Sequence, residues 1–256
     1  MYDSKLRHER YRKFISTTGV KKDLNKKSVT GGMFLMGSEM ATAVIRIASM
    51  AVLARVLVPE DFGLLAMVTA LTVFAERFKD FGLGDATVQA SDISHEQVSG
   101  LFWINFAICV AIAVLFACLS KAVAWFYDEP RLMAVTIVIG STFAFSGLVI
   151  QPQALLRRQL RFGQLATINL SAVILSVAVA ITLALLGFGY WALVAREVSR
   201  AVFVVIGTYI ACPWLPDMPR RNSNIHRLLH FGKHITGFNL IYFFSRSVDK
   251  ILLGKL

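Results

Sequence analysis

Five or six stretches of about twenty apolar residues, separated by short basic or polar breaks, run from Gly31 to Ala211. A bilayer core about 30 Å thick takes roughly 20 helical residues to cross, so each stretch is long enough to span one. Segments such as Val98 to Leu119 and Ala134 to Leu156 carry no charged residue. No soluble fold needs so many apolar segments of this length. The expected fold is therefore all-α, a polytopic transmembrane helix bundle.

Composition agrees with this solvent. The 256 residues are 56% hydrophobic and only 17% charged, which suits a chain whose apolar surface faces lipid as well as protein. A net charge of +11 raises the possibility of nucleic-acid binding, but the placement of the charge argues against it. Nine of the 27 Lys and Arg lie between Lys5 and Lys27, before the first span, and most others punctuate span ends. That pattern fits a cytoplasmic head that obeys the positive-inside rule and touches anionic membrane lipid. No nucleic-acid partner is expected. The first 30 residues lack an apolar core followed by a small-residue cleavage site, so the first span is expected to insert as an anchor. Cys109 and Cys118 sit about 13 Å apart along one helix, too far to bridge, and Cys212 stands alone, so no disulfide framework is implied.

The spans are placed at Gly32–Leu57, Phe62–Phe78, Val98–Val123, Leu132–Leu156, Phe162–Leu186 and Tyr190–Ala211, with a seventh beginning near Ile235. With the N-terminus inside, the cytoplasmic side receives the basic head, Arg77, Lys79, Arg157, Arg158 and Arg161, and then Arg220, Arg221, Arg227 and Lys233. The opposite side receives Arg55, Lys121 and Arg131. Turn residues at 58–63, 127–130 and 187–189 give tight outer connections, and Trp125, Tyr127, Tyr190 and Trp191 form an interfacial belt there. The inner connections are expected to be longer and basic. This divides the chain into a basic cytoplasmic segment at 1–29, a six-helix transmembrane lobe at 30–211, a cytoplasmic linker at 212–233 and the start of a second lobe at 234–256. The linker carries three prolines and an amphipathic run from Ile225 to Phe231. Ending about 22 residues after Ile235, the chain reads as part of a longer protein.

Charges inside the spans are the functional pointers, since an ionised residue at mid-bilayer costs at least about 2.5 kcal/mol and must face a cavity or a partner. In the first span Ser38, Thr42, Arg46 and Ser49 share one helical face with Glu39 beside it, and this stripe is expected to line a cavity. Arg46 would offer a planar fork of donors to an anion. Neutralisation by a carboxylate such as Glu39 is equally open. In the sixth span Glu197 and Arg200 are three residues apart and can pair, which leaves Arg196 without an obvious local partner and makes it, with Arg200, a candidate anion contact. The alternative is that all three satisfy one another or neighbouring helices. Arg246 and Asp249 in the seventh span form either a self-contained ion pair or a coupling site.

Other patterns are discounted. His226, His230 and His234 share a face at a spacing that could hold a metal, but Gly232 interrupts the helix and no acid or cysteine lies near. No metal or other cofactor is expected. Gly82-Leu83-Gly84 lacks the phosphate-loop spacing. Ala41, Ala43, Ala48 and Ala51 are read as residues that permit close helix packing.

At Phe78-Lys79-Asp80-Phe81-Gly82-Leu83-Gly84-Asp85-Ala86-Thr87-Val88-Gln89 the sequence resembles the junction after the second span in polysaccharide flippases of the multidrug/oligosaccharidyl-lipid/polysaccharide exporter superfamily. The segments 53–63, 154–162, 187–194 and 247–254 are similar to that superfamily's WzxC-like branch. The resemblance implies two six-helix lobes of a MATE-like fold around a cavity that opens alternately to either side, of which this chain would hold the first and the opening of the second. It implies a bacterial inner-membrane carrier rather than an enzyme. The implied substrate is a polyprenyl-pyrophosphate-linked oligosaccharide for exopolysaccharide, capsule or O-antigen assembly, with the polymerase and export machinery as further partners. A multidrug exporter of the same superfamily is the nearest rival, and would more plausibly use an acidic cavity. A membrane glycosyltransferase would need an acidic catalytic site and a sizeable aqueous domain, neither of which is visible. A non-transporting membrane fragment is the remaining reading.

Overall fold

The computed structural model describes residues 24–79, 82–90 and 92–218, with side chains described from residue 31 onward. The seventh span, Arg246 and Asp249, the three linker histidines and the amphipathic run at 225–231 lie outside the described residues.

Seven helices and no strand occur among the described residues: α1 (Leu24–Leu53), α2 (Pro59–Glu76), α3 (Leu83–Gln89), α4 (His95–Phe126), α5 (Arg131–Arg158), α6 (Phe162–Leu185) and α7 (Tyr190–Ala211). In lipid every backbone N–H and C=O has to be satisfied within its own segment, which a helix does. Four helices are long and apolar enough to cross a membrane: α1 from Gly31 onward, α4, α5 and α6. The two remaining long helices run beside them, and α7 carries Arg196, Glu197 and Arg200 in its middle. This is an all-α polytopic bundle. α1 begins at Leu24, inside the segment read as a basic head ending at residue 29.

Consecutive helices reverse at two ends. One end holds the turns at 54–58, 127–130 and 186–189, where Asp128, Gly187 and Gly189 take positive φ values of 52°, 81° and 56°. Trp125, Phe126 and Phe188 are exposed there, and Arg131 binds Glu129 through its Nε at 2.8 Å and its Nη2 at 3.0 Å. That hydrogen bond holds the Glu129 carboxyl below its ordinary range. The other end holds 77–79, 82–90, 92–94, 159–161 and 212–218, and gathers Arg77, Lys79, Arg157, Arg158 and Arg161 against Arg55, Lys121 and Arg131 at the first. The α5–α6 connection at this basic end is only three residues, Gln159 to Arg161, shorter than expected, with Leu160 at φ 55° making the reversal.

Packing is organised around α5. It lies antiparallel to α4 and parallel to α7 and α2, while α6 bridges α7 and α1. The α4–α5 approach depends on two glycines seven residues apart. A Cβ on Gly140 would stand 2.5 Å from the Phe116 Cβ, and one on Gly147 would meet the Cys109 Cβ at 2.9 Å and the Phe106 Cα at 3.1 Å. Close approach of this kind is how membrane helices gain packing where lipid supplies no hydrophobic drive. The alanines of α1 have a different place, because Ala43, Ala48 and Ala51 are exposed and Ala41 is half-buried. α1 packs on α6 and turns Met33, Met36, Met40 and Ile47 away from the bundle.

The basic end is knotted by polar contacts that no local pattern announces. Residues 77–94 contain the short helix α3 rather than a plain loop, and its last carbonyls, on Thr87 and Val88 together with that of Ala90, accept hydrogen bonds from Arg158 Nη1. Thr87 Oγ1 also donates to Gln151 Oε1 at 2.7 Å. Beyond α7 the chain folds back: Trp214 is fully buried, and its Nε1 donates to His95 Nδ1 at 2.9 Å. His95 Nε2 lies 3.2 Å from Asp217 Oδ2, and Trp103 Nε1 donates to the Asp217 carbonyl at 2.9 Å. Cys212 is buried in the same knot, and desolvation pushes its thiol up to about 11.

Candidate functional site: a cationic cleft between α2, α5 and α7

Two adjoining cavities share one charged patch. The larger, about 480 Å³, lies between α2, α5 and α7, and the smaller, about 160 Å³, between α7, α6 and α1. Arg196, Glu197 and Arg200 line both. They share a half-buried stripe because 196 and 200 are one helical turn apart, with 197 beside them. One turn earlier on the same side of α7, Ala192 and Leu193 are buried in the bundle, so the charged patch opens only from Arg196 onward.

Glu197 serves both arginines. Arg196 donates from Nη2 and Nε to Glu197 Oε1 at 3.1 and 3.3 Å, and Arg200 Nε stands 3.5 Å from Glu197 Oε2. Of the two readings that spacing leaves open, Glu197 with Arg200 alone or all three together, the structure has the second, because adjacent residues on a helix can meet when one side chain is a long guanidinium. One carboxylate thus neutralises part of two cations. Among the described residues the Nη1 groups of both arginines donate no hydrogen bond.

The first-span candidates separate. Ser38, Thr42 and Ser49 are buried against α6, with the Ser38 hydroxyl donating to Leu35 O and the Ser49 hydroxyl to Arg46 O, each at 2.8 Å. Arg46 sits at the edge of that face, exposed, and lines the smaller cavity with Ser49. Glu39 is exposed two helical turns away, and among the described residues Arg46 has no ion-pair partner. The structure therefore brings Arg46, Arg196, Glu197 and Arg200 to one cavity, while Ser38, Glu39 and Thr42 are not part of its lining.

The larger cavity adds residues that sequence reasoning did not place in a binding site. Glu76 and Lys79 at the basic end of α2 form a 3.6 Å pair, and Arg157 on α5 lies 3.8 Å from Asp85 of α3. Thr69 and Thr72 of α2, Thr142, Ser146 and Gln153 of α5, and Asn169 of α6 supply its neutral polar lining. The signal for them was the 3.6-residue recurrence of polar side chains along two apolar helices, which shows a shared face only once the helices are paired. Across both cavities five cations, Arg46, Lys79, Arg157, Arg196 and Arg200, meet two carboxylates, Glu76 and Glu197. Such a surface is built to receive negative charge, and in a site of reduced dielectric the excess acts over its whole length.

The sequence places this all-α membrane bundle: the chain belongs to the polysaccharide biosynthesis protein family, whose profile matches residues 52–256. Among curated relatives it is 23% identical to the lipopolysaccharide biosynthesis protein WzxC of Escherichia coli (strain K12) over 242 residues, 91% of this chain and 48% of that protein. It is 26% identical to the teichuronic acid biosynthesis protein TuaB of Bacillus subtilis (strain 168), again over 91% of this chain and 48% of the relative. The succinoglycan biosynthesis transport protein ExoT of Rhizobium meliloti (strain 1021) is 25% identical over 91% of the chain and 47% of its own length. The chain spans about half the length of these relatives. No solved structure matches it.

Proposed function

We propose that this chain forms the first lobe of a flippase that carries polyprenyl-diphosphate-linked oligosaccharides across the bacterial inner membrane for glycan assembly. The observation that carries the proposal is the excess of guanidinium groups, Arg46 of α1 and Arg196 and Arg200 of α7, around one carboxylate in a bundle with four helices long and apolar enough to cross a membrane. A diphosphate offers several oxygens to such groups, and arginine's planar fork binds them in pairs. ExoT is named as a succinoglycan biosynthesis transport protein and WzxC and TuaB as proteins of lipopolysaccharide and teichuronic acid biosynthesis, which supports the reading. The basic end, with Lys79, Arg157, Arg158 and Arg161, is assigned to the cytoplasm by the positive-inside rule. The cleft would receive the substrate there and release it at the turn end as two lobes rock. No bond is made or broken. A multidrug exporter for cationic compounds is disfavoured by the sign of the cleft.

The test is complementation of a strain lacking the gene with the whole protein carrying Arg46→Ala or Arg196→Ala. Polymer export should fall at least about tenfold with normal protein abundance, the loss expected for removing one charge-assisted contact. Unchanged export in both variants would remove the assignment.

A further inference from the structure

The larger cavity has two chemically different walls. The α7 wall, with Arg196 and Arg200, is made of donors. Above the charged basic end, where Glu76, Lys79 and Arg157 stand, the α2 and α5 wall carries four hydroxyl groups whose protons are already committed: Thr69 donates to Leu65 O at 2.7 Å, Thr72 to Thr69 O at 2.8 Å, Thr142 to Ile139 O at 2.6 Å and Ser146 to Thr142 O at 3.2 Å. A hydroxyl that has given its proton to its own helix keeps acceptor lone pairs and nothing to donate. Gln153 adds a further acceptor, since its Oε1 stays available while one Nε2 hydrogen goes to Thr208 Oγ1 at 3.3 Å. None of the five is fully buried, and all line the cavity.

Resting on the flippase reading above, we propose that this acceptor wall is the sugar subsite and that it selects uncharged, hydroxyl-rich sugars. A hexose brings several O–H donors, each of which finds an oxygen on α2 or α5. A phosphate or carboxylate brings only acceptors, finds no donor among these four hydroxyls, and is driven to the cations that flank them, Arg196 and Arg200 across the cleft and Lys79 and Arg157 at its basic end. The two walls therefore orient the substrate, diphosphate toward α7 and the first sugars toward α2 and α5. They also discriminate, because an acidic sugar placed against Thr72 and Thr142 would set carboxylate oxygens against hydroxyl lone pairs with its own hydration lost.

The experiment measures binding of two probes to the whole protein in lipid nanodiscs: polyprenyl diphosphate, and the same lipid carrying a tetrasaccharide of neutral hexoses. Wild type should prefer the sugar-bearing probe. The combined variant Thr72→Val, Thr142→Val, Ser146→Ala should lower that preference about tenfold or more, as expected for three lost hydrogen bonds. Thr72→Ser with Thr142→Ser, which keeps the oxygens, should retain it. Arg200→Ala should weaken both probes together and leave the preference intact. A preference that survives in the combined variant overturns the acceptor wall and leaves the flippase reading standing. Wild type that binds neither probe overturns both. Single Thr142→Val, measured in parallel, answers the same question with a smaller shift if the combined variant does not fold.

Discussion

The Tyr209 hydroxyl donates to the Leu148 carbonyl at 3.1 Å, and Leu148 stands four residues before Pro152, the one proline inside α5. Proline has no N–H, so the carbonyl four residues earlier loses its helical partner. A tyrosine from α7 replaces it. In hydrocarbon an unpaired carbonyl is costly, and Tyr209→Phe should lower stability by about 1–3 kcal/mol. The decisive form is a double-mutant cycle: in a Pro152→Ala background the new N–H can serve Leu148, and Tyr209→Phe should cost much less. Equal losses in both backgrounds, read by thermal unfolding in detergent, would show that Tyr209 does not act through that carbonyl.

Gly140 and Gly147 set the distance between α4 and α5, and adding one methyl tests this. Gly140→Ala would press on the Phe116 Cβ at 2.5 Å, and overpacking of this kind costs about 1–3 kcal/mol. Gly63 in α2 meets nothing within 4 Å, so Gly63→Ala should be neutral or stabilising through helix propensity alone. Comparable destabilisation at both positions would refute the close-approach account.

These contacts mark where sequence legibility stopped. Apolar runs and turn residues located six long helices, and the start of α6 at Phe162 and both ends of α7 coincide with their expected limits. Arg46, Arg196 and Arg200 stood out because charge in an apolar run is costly wherever it falls. What stayed hidden depends on pairing between helices. Gly140 looks like any glycine until Phe116 lies against it. Trp214 sits in a proline-rich stretch expected to be a linker, and only its contact with His95, 119 residues away, shows that the chain folds back there. The helix α3 is seven residues long, too short for periodicity, and its end is held by Arg158 from far along the chain.

Cys212 gives a chemical readout of that fold-back. Burial raises its thiol to about 11 from an ordinary value of 9.0. The thiol must deprotonate before it reacts, so Cys212 should alkylate far more slowly at pH 8 than an unfolded cysteine. The sign for stability follows: the fold favours the protonated form, so this contribution is complete below about pH 9 and is lost as pH rises towards 11. Trp214→Ala should open the knot and speed labelling of Cys212, as followed by mass spectrometry. An unchanged rate in that variant would mean that Trp214 does not cover the thiol.

Glu197 is the sharpest probe of the cleft, because it touches both arginines while carrying the opposite charge. Replacing it with Gln keeps the shape and removes one negative charge beside two guanidinium groups that are a quarter to two-fifths exposed. Screening at that exposure limits the effect to about 1 kcal/mol, near fivefold in affinity. Binding of polyprenyl diphosphate to the whole protein should tighten by that factor in Glu197→Gln and weaken in Arg196→Ala. Polymer export should fall in both, in the first because the anion leaves too slowly and in the second because it is captured too poorly. Weaker binding in Glu197→Gln would assign the carboxylate a different task, holding Arg196 and Arg200 in place rather than competing with the substrate for them.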